Sequence, residues 1–155
     1  MRQSLLVLLA SLSAIAGPAN ACAPDVGIEA VRAHLLYAFS GTLSDDILAR
    51  EEPFIGWNTP IGGGDADEAA DDLLVVVEIG STGEVYLDEV LEIRVTNEHG
   101  EEIGLRKFDG LLTSEEGKGA FALYLPDSTC GGMLTIEASL LGEKKSAQLQ
   151  LYCGE

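Results

Sequence analysis

The stretch MLTIEASLLGEKKSAQLQLYC, residues 133–153, decides the fold because its side chains alternate between apolar and polar. The apolar positions are Leu134, Ile136, Ala138 and Leu140, followed by Ala147, Leu149, Leu151 and Cys153. A period of two residues is typical of a strand with one buried face. Between the two parts lies the polar segment GEKK, residues 142–145. The stretch therefore predicts two antiparallel strands joined by a hairpin turn at residues 142–145.

Further apolar or alternating segments upstream predict the other strands. The valine-rich run DLLVVVEIG, residues 72–80, does not alternate, which is typical of a central strand. The predicted strands cover residues 32–43, 72–80, 91–97, 101–108, 119–125, 133–141 and 146–153. About seven short strands with polar turns predict an all-β fold, an antiparallel two-sheet sandwich of immunoglobulin-like architecture. A small open β-barrel is the alternative.

The N-terminal residues have the pattern of a targeting segment. Arg2 precedes an apolar run at residues 4–16 that is too short to span a bilayer, and the small-residue pattern ANA precedes Cys22. Residues 1–21 are therefore predicted to be a signal peptide. The chain is expected to be exported to the periplasm or secreted, with residues 22–155 as a single β-sandwich domain.

Three cysteines in an exported chain leave one without a partner if the other two pair. With the last hairpin turn centred on residues 143–144, Cys153 would lie opposite about Leu134, four residues from Cys130. Both cysteines would then point towards the core at the open end of the hairpin. A structural Cys130–Cys153 disulfide is predicted, and a redox-active pair is disfavoured because no C-x-x-C motif is present.

Cys22 has two alternatives. Under plain secretion it follows the signal peptidase site, whereas ANAC can also be interpreted as an imperfect lipoprotein signal in which Cys22 carries a lipid. Contact with a membrane is predicted only through that lipid. A cut after Ala16 would leave Cys22 available for an intermolecular bond.

The chain is strongly acidic, with 26 acidic and 9 basic residues and a formal net charge of −17. Such a surface repels nucleic acid, because that affinity depends on neutralising phosphates with Lys and Arg. Nucleic acid is therefore excluded as a partner. The charge is compatible with a cationic partner, and the oligomeric state is not determined by the sequence.

An acidic loop is the most prominent site candidate. The segment IGGGDADEAADD, residues 61–72, ends a long connection over residues 53–72, and connections of that length are often functional. Its carboxylates could supply oxygen ligands for calcium, and these are Asp65, Asp67, Glu68, Asp71 and Asp72. The EF-hand pattern is not matched, and the alternative is a solvated loop. No other cofactor is predicted, since five acids would repel a phosphate.

Catalytic residues are not indicated by any motif. His34 and His99 are the only histidines and lie far apart in the sequence, which disfavours a zinc site. No G-x-S-x-G motif occurs. A small secreted hydrolase is therefore the least favoured of the function hypotheses.

Two aromatic residues in the connection, Phe54 and Trp57, have two interpretations. They either cap the core at the edge of the sandwich or anchor a protein or carbohydrate partner. The favoured function is a non-enzymatic exported β-sandwich used for binding or assembly, with residues 53–72 as its recognition surface. The alternative is a calcium-dependent binding module.

Overall fold

The computed structural model describes residues 25–52, 54–55 and 64–152. Within this part of the chain, regular structure consists of eight strands and one short 3₁₀ turn, Ile47–Ala49. The strands are β1 (Val26–Leu36), β2 (Phe54–Ile55), β3 (Asp72–Ser81), β4 (Tyr86–Thr96), β5 (Glu102–Leu112), β6 (Lys118–Leu125), β7 (Gly132–Leu140) and β8 (Glu143–Tyr152). The predicted all-β class is confirmed.

The strands form two sheets, which confirms the predicted sandwich. The small sheet has the order β1-β3-β6 and the large sheet the order β2-β8-β7-β4-β5. Every pairing is antiparallel except that of β2 with β8, which is parallel. Because β2 has only two residues, its sequence carries no alternation, and it accounts for the strand beyond the predicted seven.

The core lies between the sheets, where the predicted apolar faces meet. The run at residues 72–80 becomes β3, the centre of the small sheet, as expected. The most deeply buried side chains, at most 1% exposed, come from both sheets; they include Leu73, Val75, Val77 and Ile79 of β3, Leu91, Ile93 and Val95 of β4, and Leu134, Ile136, Ala138 and Leu140 of β7. Removing a side chain of this size from such a core costs about 2–5 kcal/mol.

The last hairpin turns earlier than predicted. Its turn is Leu141–Gly142, and residues 143–145 already belong to β8. Both turn residues have positive φ, 54° for Leu141 and 83° for Gly142. Two-residue hairpin loops favour this backbone because its twist matches that of the strands. The prediction at residues 142–145 was wrong because leucine is not a sequence signal for a left-handed turn position.

The first strand is also displaced from its predicted place. β1 spans Val26–Leu36, whereas residues 32–43 were predicted. The segment after Tyr37 turns back on itself, since Gly41 N donates to the carbonyl of Tyr37 and has φ of 68°. This turn is positioned beside the acidic loop.

Both edges of the small sheet are capped by charged side chains from the large sheet. At the β6 edge, Arg106 donates to the main-chain carbonyl of Ala122 at 2.8 Å. At the β1 edge, Lys145 donates to the carbonyls of Ile28 and Glu29, and Glu143 accepts from Ile28 N at 3.1 Å. Charges at sheet edges oppose pairing with a strand of another molecule.

The N-terminal predictions fall outside the described residues. The signal peptide at residues 1–21 and the alternatives for Cys22 therefore stay predictions. In the ranges that the structure covers, no helix is long and apolar enough to cross a membrane.

Candidate functional site

The described part of the acidic loop before β3, residues 64–71, lies at the end of the sandwich where β1 ends and β3 begins. We call this the apical end. It also contains the turn after β1 (residues 37–43), strand β2 and the turn between β6 and β7 (residues 126–131). Main-chain and carboxylate hydrogen bonds tie the loop to all three neighbours, as follows.

Asp65 joins the loop to β2. Its carboxylate accepts a hydrogen bond from Ile55 N at 2.9 Å, and its own N–H donates to the Ile55 carbonyl at 2.8 Å. The second carboxylate oxygen lies 3.0 Å from the guanidinium of Arg50. The contacts of Asp65 therefore lie within the protein, where they hold the loop against β2.

Asp67 and Glu68 join the loop to the turn after β1. The Glu68 carboxylate accepts from Ser40 N at 2.9 Å, and the Tyr37 hydroxyl lies 3.4 Å from the Asp67 carboxylate. One residue further, the carbonyl of Ala69 accepts from Ala38 N at 2.9 Å. The loop therefore lies directly along this turn.

Asp71 and Asp72 join the loop to the turn between β6 and β7. The main-chain carbonyl of Asp71 accepts from Ser128 N, while the Asp72 carboxylate accepts from Asp127 N at 3.1 Å. The hydroxyl of Tyr124 also donates to Asp72. This hydrogen bond, together with burial and the nearby negative charge, raises the pKa of Tyr124.

The five predicted calcium ligands belong to one loop, but their carboxylates are not directed at a common point. Four of them bond to protein donors in three different directions, through Ile55, Ser40, Tyr37 and Tyr124. Among the described residues, no three His, Cys, Asp or Glu side chains are gathered as a metal site would need. Calcium binding at Asp65, Asp67, Glu68, Asp71 and Asp72 stays a prediction.

The predicted aromatic contacts separate into a buried residue and one outside the described ranges. Phe54 is 3% exposed and belongs to the core, with the guanidinium of Arg50 5.6 Å from its ring centre. Of the two interpretations of Phe54, burial supports the core cap, and its ring is not accessible to a partner. Trp57 lies outside the described residues.

Among the described residues, Phe39 is the most exposed aromatic side chain of the apical end, and the sequence reasoning missed it. It lies in the turn after β1 and is 83% exposed. The turn is held by main-chain bonds from Tyr37 N to the Thr42 carbonyl and from Gly41 N to the Tyr37 carbonyl. The signal that could have found it is Ser-Gly at residues 40–41, which favours a turn over a continuing strand.

The described residues contain one cysteine, Cys130, which is not a free thiol. It is exposed in the turn before β7, so its predicted orientation towards the core was wrong. The strand alternation used for that prediction applies only from Gly132 onwards, where β7 begins. Cys153 lies outside the described residues, and its pairing with Cys130 stays a prediction.

The two histidines are not brought together. His34 is in β1, where its Nδ1 lies 2.9 Å from the carbonyl of Ser44. His99 is in the turn between β4 and β5, 3.6 Å from the carboxylate of Glu98. Because they contact different partners in different elements, the two histidines do not form a common site.

Comparison with known proteins assigns no family. No family model matches the chain, and no curated protein matches it. Among solved structures, the chain is similar to a β-D-glucoside glucohydrolase from Trichoderma reesei, with 14% identity and a TM-score of 0.42. The match covers 83% of this chain but only 19% of that enzyme. Similarity at this level supports no conclusion about activity.

Proposed function

We propose that the chain is a non-enzymatic binding or assembly module, exported to the cell envelope or secreted, whose recognition surface is the apical end. The observation that carries this proposal is Phe39, an aromatic side chain 83% exposed on a hydrogen-bonded turn. Aromatic residues are enriched in protein interfaces, and a largely exposed phenylalanine is costly to keep in water.

The surroundings of Phe39 favour recognition because they fix the turn before any partner arrives. Ala38 and Ser40, on either side of Phe39, donate their N–H groups to Ala69 and Glu68 of the acidic loop. A turn that is already ordered loses little conformational entropy on binding. The Glu68 carboxylate and the main-chain carbonyl of Ala69 thus hold the turn that presents Phe39.

Further apolar side chains extend this surface. Leu43 and Ile55 are each about half exposed, at 47% and 49%, in the two segments that the acidic loop joins. Residues 56–63, with Trp57, continue from β2 and belong to the proposed surface by sequence. A protein or carbohydrate partner with an apolar surface fits this composition.

The proposal is tested by affinity capture from an envelope fraction of the native organism, using wild type and a Phe39→Ser variant. A partner that Phe39 anchors should be recovered about tenfold less with the variant, the effect of losing a hot-spot side chain. Trp57→Ala should also weaken binding of the same partner. Leu141→Ser is the matched control, since Leu141 is also an exposed apolar residue but lies in the turn between β7 and β8, at the opposite end of the sandwich.

Equal recovery of every partner with Phe39→Ser and with wild type would refute the apical surface. Export is tested separately by the intact mass of the native protein. The mass of residues 22–155 alone indicates plain secretion, whereas an added lipid mass indicates the lipoprotein alternative at Cys22.

A further inference from the structure

A second exposed apolar surface lies at the opposite, basal end, on the outer face of the large sheet. Tyr86 at the start of β4 pairs directly with Leu112 at the end of β5, and these side chains are 67% and 57% exposed. Val90 is 43% exposed and, like Tyr86, precedes a buried leucine, so both side chains face outward. We call Tyr86, Val90 and Leu112 the Tyr86 patch.

A β-bulge shapes this patch. Between the pairs Leu87–Leu111 and Val90–Asp109, β4 has two residues where β5 has only Gly110. The Tyr86 hydroxyl lies across Gly110, only 2.7 Å from where a Cβ atom would be. Gly110 has φ of 72°, so glycine is favoured there by conformation as well as by space. Bulges re-aim side chains, and here Tyr86 is laid over the neighbouring strand.

The patch is surrounded by negative charge. Four exposed carboxylates adjoin it in the strands and the preceding turn: Glu84, Asp88, Glu89 and Asp109. None of them forms an ion pair within the described part of the chain. The nearest base along β5, Lys107, is held by Glu92 at 2.8 Å. Among the described residues, these four carboxylates are therefore not neutralised by an ion pair.

We propose that the Tyr86 patch docks a protein segment that presents an apolar side chain flanked by lysine or arginine. The apolar side chain would pack on Tyr86 and Leu112, while the cations would pair with the surrounding carboxylates. A second copy of this chain fits poorly, because its four carboxylates would face the same four. This site is independent of the apical surface and does not rest on the function proposed for it.

The first test is a titration of ¹⁵N-labelled protein with a synthetic peptide of alternating leucine and lysine. Amide shifts are expected to concentrate at residues 84–90 and 109–113. The double variant Tyr86→Ser/Leu112→Ser should bind about tenfold more weakly, as expected for loss of an interface anchor. Leu105→Ser is the matched control and should bind like wild type, because Leu105 is exposed but lies outside the Tyr86 patch.

The second test separates apolar docking from general attraction of a cation to an acidic protein. A serine–lysine peptide keeps the charge without the apolar side chain and should bind about tenfold more weakly than the leucine–lysine peptide. Asp88→Asn/Glu89→Gln keeps the patch and should weaken binding most at low salt. Because these side chains are exposed, melting temperatures close to wild type confirm that each variant is folded.

Several outcomes would overturn the proposal. They are shifts spread evenly over the acidic surface, equal binding of the two lysine peptides, and unchanged affinity in the double variant. Concentration-dependent shifts at residues 84–90 without any peptide would assign the patch to self-association instead.

Discussion

Arg106 of β5 donates a hydrogen bond to the main-chain carbonyl of Ala122 in β6, 2.8 Å away and across the two sheets. The same guanidinium lies 4.5 Å from the ring centre of Phe108, whose ring packs edge-on against Phe121 of β6. One side chain thus closes the side of the sandwich and occupies an acceptor that a foreign strand would need. Lys145 does the same for Ile28 and Glu29 at the opposite edge.

Because Arg106 and Lys145 cap the edges of the small sheet, we expect their removal to promote association of molecules through these edges. Arg106→Leu and Lys145→Met each expose main-chain carbonyls, and the double variant should form concentration-dependent oligomers in sedimentation velocity. Lys107→Met also removes a base but leaves both edges capped, and should stay in the oligomeric state of wild type. Association of the Lys107 variant to the same extent would show that lost charge is the cause.

We expect Glu92 to make a contribution to folding stability that depends on pH. Hydrogen bonds from Lys107 and then Arg94 lower the pKa of Glu92 from 4.5 to about 2. Because the folded pKa is below the unfolded one, the stabilisation is fully present above pH 4.5 and is lost as the pH falls to about 2. Urea unfolding of wild type and Glu92→Gln should therefore differ at pH 7, and the difference should close towards pH 2.

A difference that stays constant over that pH range would contradict the assigned pKa. The matched control is Glu89→Gln, which removes an exposed carboxylate that has no ion pair in the described chain. It is expected to unfold like wild type at each pH.

The sandwich could be predicted because burial imposes a period of two on its strands. Leu91, Ile93 and Val95 alternate in the sequence and are fully buried in the structure. The edge caps could not be predicted, since Arg106 and Lys145 have the same appearance in a sequence as any solvated base. Their role depends on register and on the distance between sheets, which no local pattern encodes.

The hydrogen bond between Asp72 and Tyr124 makes the pKa of Tyr124 a measure of the contact between the acidic loop and β6. The hydrogen bond to Asp72 is the largest cause of the raised pKa of Tyr124, and the charge of Asp127 is a smaller one. The neutral phenol is favoured in the folded state, so its stabilisation is present below pH 10 and is lost as the pH rises through the folded pKa. Asp72→Asn should lower the pKa of Tyr124, measured by NMR.

The matched control is Asp127→Asn, which removes only the more distant charge. It should lower the pKa of Tyr124 less than Asp72→Asn does. An equal effect of the two variants would mean that net charge, and not the hydrogen bond, controls this phenol.

Calcium has a direct test in thermal unfolding. A bound ion stabilises the folded state by mass action, so a calcium site would raise the melting temperature at millimolar calcium relative to chelator. Because Asp65 and Asp72 already bond to protein donors, we expect no rise. A rise that Asp65→Asn/Asp67→Asn abolishes would contradict this expectation and establish the calcium-dependent alternative.

The candidate site was only partly predictable, for a reason that Phe39 illustrates. Residues 32–43 resemble one strand with aromatic content, so Phe39 was assigned to a strand. The chain instead turns after Tyr37 because Glu68 and Ala69, about thirty residues later, accept the N–H groups of Ser40 and Ala38. Contacts so distant in sequence decide where a short strand ends, whereas the acidity of the loop could be read directly.

The observed hairpin register predicts the disulfide more sharply than the sequence did. Pairing runs without irregularity from Leu140–Glu143 to Gly132–Leu151. The last pair, Gly132–Leu151, lies two residues from each cysteine in the sequence, which brings Cys153 closer to Cys130 than the predicted alignment with Leu134 did. A non-reducing digest analysed by mass spectrometry should therefore yield a linked Cys130–Cys153 peptide, and Cys22→Ser should leave that link intact. Closing this loop contributes about 3 kcal/mol in the chain-entropy model, so Cys153→Ser should lower the melting temperature markedly. Recovery of a Cys22–Cys130 peptide would refute the Cys130–Cys153 pairing. It would also contradict lipidation of Cys22, because a thiol in a disulfide cannot carry a lipid.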